Sequence, residues 1–234
     1  MLISGIQPCT FLDYPNKTAC IVFTPGCNFR CAYCHNPEFV LPERIAKLRP
    51  NFIPEETFFR FLDRRTDLLD GVVVTGGEPT LMPDLLEFLR KVKDKGFKTK
   101  LDTNGNRPAV LKRALDEGLV DYVAMDVKTS LAEYKNLAGI LADPDKIAES
   151  IEILKASPVE SEFRCTILKE FHPQRVLDDM AELLAGAKIF YLQKFRPGVT
   201  LKEEAGGYHP FTNEETEEIA NFFRQTVPSV IIRA

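Results

Sequence analysis

Six times along its length the chain passes from a short run rich in β-formers to a longer segment with helical spacing. The strand candidates are Lys17–Phe23, Gly71–Val74, Lys98–Asp102, Asp121–Asp126, Glu160–Leu168 and Lys188–Gln193, rich in Val, Ile and similar residues. Helical patterns lie at Pro54–Leu69, Pro83–Lys95, Pro108–Glu117, Pro144–Ala156, Pro173–Leu184 and Asn213–Gln225. Several begin with proline, which is tolerated in a first turn because the N–H it lacks has no partner there. Asp143 and Asn213 are candidate N-caps. The segment Ser229–Ile232 reads as a last short strand or as a tail. Six βα units in series imply a parallel sheet, because each helix returns the chain to the same edge. Doubly wound and barrel arrangements both fit. A length of 234 residues suits one domain. No repeat, low-complexity stretch or long linker divides it, so residues 1–234 are expected to form a single domain.

Composition narrows the function classes. Hydrophobic residues make up 44% and charged residues 27%, the balance of a soluble globular protein. The N-terminus lacks the basic start and apolar core of a signal peptide. Apolar runs such as Val72–Val74 fall far short of a membrane span. With a net charge of −4 and no basic stretch interleaved with aromatics, nucleic acid is not an expected partner. Six cysteines without a secretory signal point to a reducing compartment, and the expected location is cytoplasmic.

The segment Gly26–Asn36 reads GCNFRCAYCHN and follows the first strand candidate. Cys27, Cys31 and Cys34 stand at CxxxCxxC spacing and can converge on one metal centre. Thiolates suit zinc and iron–sulfur clusters alike. Cys9, Cys20 and Cys165 are scattered. A cluster plus scatter reads as a metal site plus buried reduced thiols, not as three disulfides. No cysteine follows the trio until Cys165, and His35 is too near Cys34 to close the site easily. Three cysteines on a cubane leave one iron open, and an open coordination position is where metal chemistry happens. The plainer alternatives are a structural zinc with a distant fourth ligand or three unrelated thiols. Structural zinc favours paired CxxC groups.

CNFRCAYC resembles the CxxxCxxC signature of the radical S-adenosylmethionine (SAM) superfamily, including the aromatic Tyr33 before the third cysteine. Three further segments match in order: TGGEP at Thr75–Pro79, DTNG at Asp102–Gly105 and DVK at Asp126–Lys128. Within the superfamily the chain is similar to the glycyl-radical-enzyme activating branch. CHNP at Cys34–Pro37 and LDYP at Leu12–Pro15 resemble most the anaerobic ribonucleoside-triphosphate reductase activating group. The resemblance implies an α/β fold, a partial (β/α)6 barrel of the radical SAM type, and six units are what the pattern contains. In a β/α barrel, sites form at the C-terminal ends of the strands. The four motifs fall at or just after the ends of four successive strand candidates, so they are expected to face one cavity.

The resemblance further implies one [4Fe–4S] cluster on Cys27, Cys31 and Cys34, with the SAM amino and carboxylate groups on the open iron. The candidate SAM-side residues are Tyr33, Gly76, Gly77, Glu78, Asp102, Thr103, Asn104, Asp126, Lys128, Arg164 and Gln193. Gly76 and Gly77 let backbone approach closely, and Glu78 can accept from the SAM amino group; a simple Gly-Gly turn is the alternative. Asp102 and Thr103 offer oxygen ligands, which in the activating branch hold a monovalent cation beside the SAM carboxylate. A strand-ending Asp before an Asn104-Gly105 turn is equally compatible. Asp126 and Lys128 share one strand parity, and the family places them on the SAM and peptide-substrate side. A buried Asp–Lys pair is costly without hydrogen bonds or a ligand around it. Arg164 shares a face with Glu162 and Thr166, with Cys165 on the other. Its forked donors suit the SAM carboxylate, and Gln193 can contribute from the sixth strand. Ion-pair networks give both residues a purely structural alternative.

Two departures from the pattern matter. Asn16 stands where the group has glycine after LDYP, and asparagine tolerates left-handed geometry. Phe195 stands where the pyruvate formate-lyase activator has a SAM-contacting histidine, which favours the reductase group. The activity implied is that of a radical SAM oxidoreductase of anaerobic metabolism. The reduced cluster splits SAM to methionine and a 5′-deoxyadenosyl radical, which takes a hydrogen atom from a glycine of a partner enzyme. A flavodoxin or ferredoxin-type donor supplies the electron, and a gap in a six-unit barrel admits the peptide loop. The ferredoxin-like insert of some members would fall between Cys34 and the second strand. His35–Asp70 holds no cysteine, so one cluster per chain is expected. The main rival is a radical SAM enzyme acting on a small molecule, resembling 7-carboxy-7-deazaguanine synthase. A non-catalytic iron–sulfur electron carrier would leave TGGE, DTNG and DVK without purpose.

Overall fold

In the computed structural model, which describes residues 1–233, the strands are β1 (Gly5–Thr10), β2 (Ala19–Thr24), β3 (Gly71–Gly76), β4 (Lys98–Thr103), β5 (Tyr122–Asp126), β6 (Glu160–Ile167), β7 (Ile189–Lys194) and β8 (Ser229–Arg233). The helices are α1 (Pro42–Leu48), α2 (Glu55–Asp63), α3 (Leu85–Asp94), α4 (Pro108–Asp116), α5 (Tyr134–Ala138), α6 (Pro144–Ala156), α7 (Gln174–Leu184) and α8 (Asn213–Phe223). Strand order follows sequence order from β1 to β8. The strands β2 to β7 are the six expected from the sequence, and Ser229 onward is a strand, not a tail. Two short helices, α1 and α5, and the first strand were not anticipated. No helix among the described residues is long and apolar enough to cross a membrane. By internal contacts the chain divides into two compact units, each drawn from separate stretches of sequence.

The first unit comprises Met1–Asn28, Asn36–Thr103 and Ala109–Val123. Strand β2 pairs in parallel with β3, Ala19 opposite Gly71 through Thr24 opposite Gly76. Strand β3 pairs in parallel with β4. Both β2 and β3 are buried along most of their length, as parallel strands covered on two faces must be. Strand β1 is antiparallel to β2, and its register shifts between Gln7 and Thr10. Pro8 falls in that interval, where the missing N–H makes a bulge the compatible geometry. Helix α3 buries Leu85, Phe88, Leu89 and Val92, spaced as one helical face. Phe88 stacks on Phe58 of α2 with centroids 5.4 Å apart. The LDYP segment is anchored by Tyr14, whose hydroxyl donates to the Thr99 carbonyl at 3.4 Å. Its ring lies 5.9 Å from that of Tyr122, in a core with Ala19, Ile21 and Val73. Asn16 has φ 57°, the left-handed geometry expected of it.

The second unit comprises Phe29–His35, Asn104–Pro108 and the chain from Ala124. Here β6, β7 and β8 pair in parallel, with Arg164 opposite Tyr191 and Gln193 opposite Arg233. Helix α7 buries Val176, Leu177, Met180, Ala181 and Leu184. Helix α8 starts from a capping box in which Thr212 accepts from Glu215 N–H and Glu215 reaches back to Thr212 N–H. The cap is therefore Thr212, one residue before the Asn213 expected, because the reciprocal pair satisfies two orphan donors at once. Asp143 occupies the N-cap position of α6 without a side-chain cap bond. Its carboxylate pairs instead with Lys146 at 3.0 Å.

Candidate active site

In the first unit, the start of the cysteine loop and the TGGE turn are fitted together through backbone. Gly26 N–H donates to Phe39 O at 2.7 Å, Gly77 N–H to Thr24 O at 2.8 Å and Glu78 N–H to Gly26 O at 2.7 Å. Gly76 has φ 113°, a conformation open to glycine. A Cβ on Gly77 would run into the Gly26 carbonyl oxygen and lie 2.6 Å from its carbon. The glycine pair thus lets two loops approach closely, one of which carries Cys27 immediately after Gly26.

Glu78 is 1% exposed. Its Oε1 accepts from Thr80 N–H at 3.1 Å, from the Thr80 hydroxyl at 2.5 Å and from the Thr103 hydroxyl at 2.7 Å. These charge-assisted bonds fix the carboxylate and spread its charge. The sequence reading missed Thr80 as a partner, although it lies two residues after Glu78. It also missed Lys100. The Lys100 ammonium, 1% exposed, sits 2.5 Å from Asp102 Oδ1 and 5.9 Å from the centre of the Tyr122 ring. Two residues apart on β4, Lys100 and Asp102 share a face, so strand parity alone would have paired them.

Breaking that pair has a measurable consequence. Lys100→Met removes a buried cation and leaves the Asp102 carboxylate in place. The expected loss of stability is roughly 2–3 kcal/mol, the range for a charged hydrogen bond in a partly buried ion pair. Chemical denaturation checks it. If Asp102 and Thr103 can take a metal cation once the ammonium is gone, potassium or sodium chloride should restore part of the loss where choline chloride does not.

In the second unit, Cys31 and Cys34 lie in one turn, with Cys34 N–H donating to Cys31 O at 3.1 Å. Burial pushes the Cys31 thiol up to about 11, against the pull of the Lys128 charge. Tyr33 between them is 4% exposed. Its ring meets Phe171 at 6.0 Å and Phe195 at 6.4 Å, and its hydroxyl is buried without a hydrogen-bond partner. Asn104 is buried, and its Oδ1 accepts from Asn106 N–H at 3.0 Å. Together with Gly105 at φ 76° it makes the Asn-Gly turn weighed above.

Asp126, Lys128 and Arg164 are brought together. Arg164 Nε donates to Asp126 Oδ1 at 2.9 Å and Lys128 Nζ to Oδ2 at 3.2 Å. Burial opposes ionisation of Asp126, but the Arg164 and Lys128 charges outweigh it and hold the carboxyl down at about 2. Burial likewise opposes the Lys128 charge, which Asp126 stabilises, along with Tyr33, Cys31 and Cys34 nearby. Each charge in the triad is thus paired, as the cost of burying it requires. On β7, Gln193 lies opposite Thr166 in register and is half-buried. Cys165 faces away from Arg164 and meets His172 at 3.4 Å. Cys20 and Cys165 are buried free thiols as expected, whereas Cys9 is exposed, because the β1 edge beside Pro8 turns it outward.

None of the six cysteines is in a disulfide. Three of them in one loop form a soft donor set that fits an iron–sulfur cluster, and a cationic lysine beside two of them favours their thiolate forms. Among the described residues, no three His, Cys, Asp or Glu form the tight group a single metal ion needs. A cubane asks for wider spacing of its cysteines.

The radical SAM superfamily model matches residues 21–184. The chain belongs to the radical SAM superfamily. This radical SAM protein is 32% identical over 237 residues to a Methanocaldococcus jannaschii protein provisionally named a glycyl-radical enzyme activating enzyme, covering 99% of this chain and 95% of that one. It is 26% identical to the 7-carboxy-7-deazaguanine synthase of Thermococcus kodakarensis, over 74% of this chain and 72% of that one. Among solved structures it resembles Streptococcus suis SuiB bound to S-adenosylmethionine. The TM-score is 0.61 at 15% identity, over 92% of this chain and 52% of that one. That likeness shows the fold, α/β of the radical SAM partial-barrel class, as the sequence implied. Family membership implies a [4Fe–4S] cluster and SAM as cofactors.

Proposed function

We propose that this radical SAM protein is an activase that generates a glycyl radical on a partner enzyme, with anaerobic ribonucleoside-triphosphate reductase as the partner. The observation that carries the reading is the match to the Methanocaldococcus jannaschii protein along nearly the whole of both chains. CHNP, LDYP and Phe195 support the reductase group within it. When bound, the cluster and SAM supply a one-electron cleavage whose 5′-deoxyadenosyl radical abstracts the glycine hydrogen. In this reading Cys27, Cys31 and Cys34 hold the cluster, and Gly76 and Gly77 give SAM room beside backbone. Glu78 receives the amino group. Arg164 and Lys128 orient the carboxylate, Asp126 fixes both cations, and Asn104 and Gln193 border the nucleoside. Tyr33, packed among Phe171 and Phe195, keeps water from a radical that any loose hydrogen donor would quench. Lys100 already places a positive charge on Asp102. We infer that this ammonium does the work for which a monovalent cation at Asp102 and Thr103 is the alternative. A flavodoxin or ferredoxin-type protein would deliver the electron, in an anaerobic cytoplasm.

The second reading, chemistry on a small molecule, draws on the likeness to 7-carboxy-7-deazaguanine synthase. One labelling experiment separates the two. A peptide carrying the partner's glycine segment, deuterated at the glycine α-carbon, is incubated anaerobically with reconstituted enzyme, SAM and reductant. Deuterium is expected in 5′-deoxyadenosine, together with a glycyl doublet by electron paramagnetic resonance on the intact partner. If a purine precursor delivers its label and the peptide never does, the activase reading fails.

A further inference from the structure

At Lys128 the sheet ladder gives way to side chains. Val127 N–H still donates to Arg164 O at 2.8 Å. Lys128 N–H donates instead to the Tyr134 hydroxyl at 2.9 Å, and Lys128 O lies 3.0 Å from His172 Nε2. Tyr134 is fully buried and His172 is 1% exposed. Neither residue belongs to a recognisable motif, and both reach the same peptide from different elements, Tyr134 from the start of α5 and His172 from the loop before α7.

Both imidazole nitrogens of His172 lie against backbone groups. A carbonyl can only accept, so the tautomer with the proton on Nε2 is the neutral one that serves Lys128 O. Nδ1 lies 3.2 Å from Leu168 N and 3.1 Å from Leu168 O. With the proton on Nε2, Nδ1 accepts from Leu168 N–H and every group has a partner. The opposite tautomer would set the Nε2 lone pair against the Lys128 carbonyl. The imidazolium is disfavoured, because burial lowers the pKa of His172. Cys165 Sγ lies 3.4 Å from Nε2 and 3.8 Å from Lys128 O, yet the two are no nucleophilic dyad. Burial pushes that thiol far up, and both imidazole nitrogens are committed, leaving no free base to activate it.

We propose that His172, together with Tyr134, is a positioning residue of the SAM site. The two side chains grip the N–H and C=O of Lys128 and so fix the direction in which its ammonium leaves the strand end, toward Asp126 and Arg164. The proposal rests on the reading that this triad faces SAM. It adds that the triad's geometry is set from behind, by a neutral histidine that touches neither SAM nor cluster. The grip needs Nε2–H to stay on Lys128 O, and turning the ring away would cost that contact.

Three replacements test it on anaerobically reconstituted full-length protein. In His172→Gln the side-chain amide nitrogen reaches about as far as Nε2. In His172→Asn it falls short, and His172→Leu has no donor. Equilibrium dialysis with SAM, amide hydrogen exchange of the 126–130 segment and iron content are measured for each. The Leu and Asn variants are expected to bind SAM about tenfold more weakly, the equivalent of one lost buried hydrogen bond. They should exchange faster at Lys128 and Thr129 and retain their iron, while Gln stays within about threefold of wild type. Should the Leu variant fail to fold, the Gln–Asn difference carries the test. Tyr134→Phe, which removes one oxygen, is a second arm expected to loosen the Lys128 amide. Wild-type SAM affinity and exchange in the Asn and Phe variants, even with a lowered melting temperature, would reduce both residues to packing and overturn the proposal. Exchange in SAM-free protein reads the grip itself. A failure of the activase reading would therefore appear in the glycine-labelling experiment and leave this result standing.

Discussion

Single replacement of Cys27, Cys31 or Cys34 by alanine is expected to abolish the iron–sulfur cluster, whereas Cys9→Ala, Cys20→Ala and Cys165→Ala keep it. The contrast follows from position in the chain, since only Cys27, Cys31 and Cys34 share one loop. Cys31 and Cys34 lie within the field of Lys128, and a metal ligand must give up its proton. Cys165 feels the Lys128 charge as well, but it stands on β6, outside the cysteine loop. It is 2% exposed, burial drives its thiol far up, and its neighbours are a neutral histidine and a carbonyl. Cys20 is pushed up to about 12 by burial inside β2. With three cysteines as the only protein ligands, no spare thiol can substitute for a lost one, so the effect should be all or nothing. Iron and sulfide analysis after anaerobic reconstitution should give about four of each per wild-type chain, the content of one cubane. Loss of iron from Cys165→Ala would show that the ligand set is wrong.

The parts of the fold legible in the sequence were those where one periodicity ran uninterrupted. Strands β2 and β3 carry Val and Ile in short runs, β4 to β7 are short runs of mixed β-formers, and helices α3, α6 and α7 keep their apolar residues on one face. Strand β1 escaped because GIQPCT has a proline in its middle, and a bulge destroys the alternation that marks a strand. Helix α5 spans only Tyr134–Ala138, too short for a periodicity to register. The candidate site divided along similar lines. CxxxCxxC, TGGE, DTNG and DVK are local in sequence, so their residue types announce themselves. The Lys100–Asp102 pair was legible from parity and was overlooked because a lysine inside a strand reads as exposed. His172 and Tyr134 left no signal at all. Their role is to satisfy the peptide groups of Lys128, and such a pairing becomes visible only when distant segments are brought within hydrogen-bonding distance. LDYP drew notice as a group motif. Its tyrosine turns out to fill the core between β2, β3 and Tyr122, while Phe11 and Leu12 remain exposed.

Gly77→Ala is expected to be among the most damaging single-methyl changes in the chain. A side-chain carbon there meets the Gly26 carbonyl group, with Phe39 O a further contact at 3.0 Å. Both are backbone atoms, which cannot swing aside as the end of a flexible side chain can. Gly26 O accepts from Glu78 N–H, and Gly26 N–H donates to Phe39 O. The new methyl therefore pushes on a hydrogen-bonded unit, not on a loose loop. Relief requires moving Gly26 outward, and with it Cys27, or moving the TGGE turn and breaking the Glu78 bonds to Thr80 and Thr103. Either path should cost about 4 kcal/mol or more, the exceptional end of single-substitution effects. Gly207→Ala is the matched control, since no atom lies within 4 Å of its added carbon, and an effect within about 0.5 kcal/mol is expected there. Denaturation midpoints of the two variants measure the cost, and their iron content after reconstitution shows whether Cys27 has been displaced. A Gly77→Ala protein as stable as wild type and fully loaded with iron would mean that the two loops are free to part, and that the glycine pair is an ordinary turn.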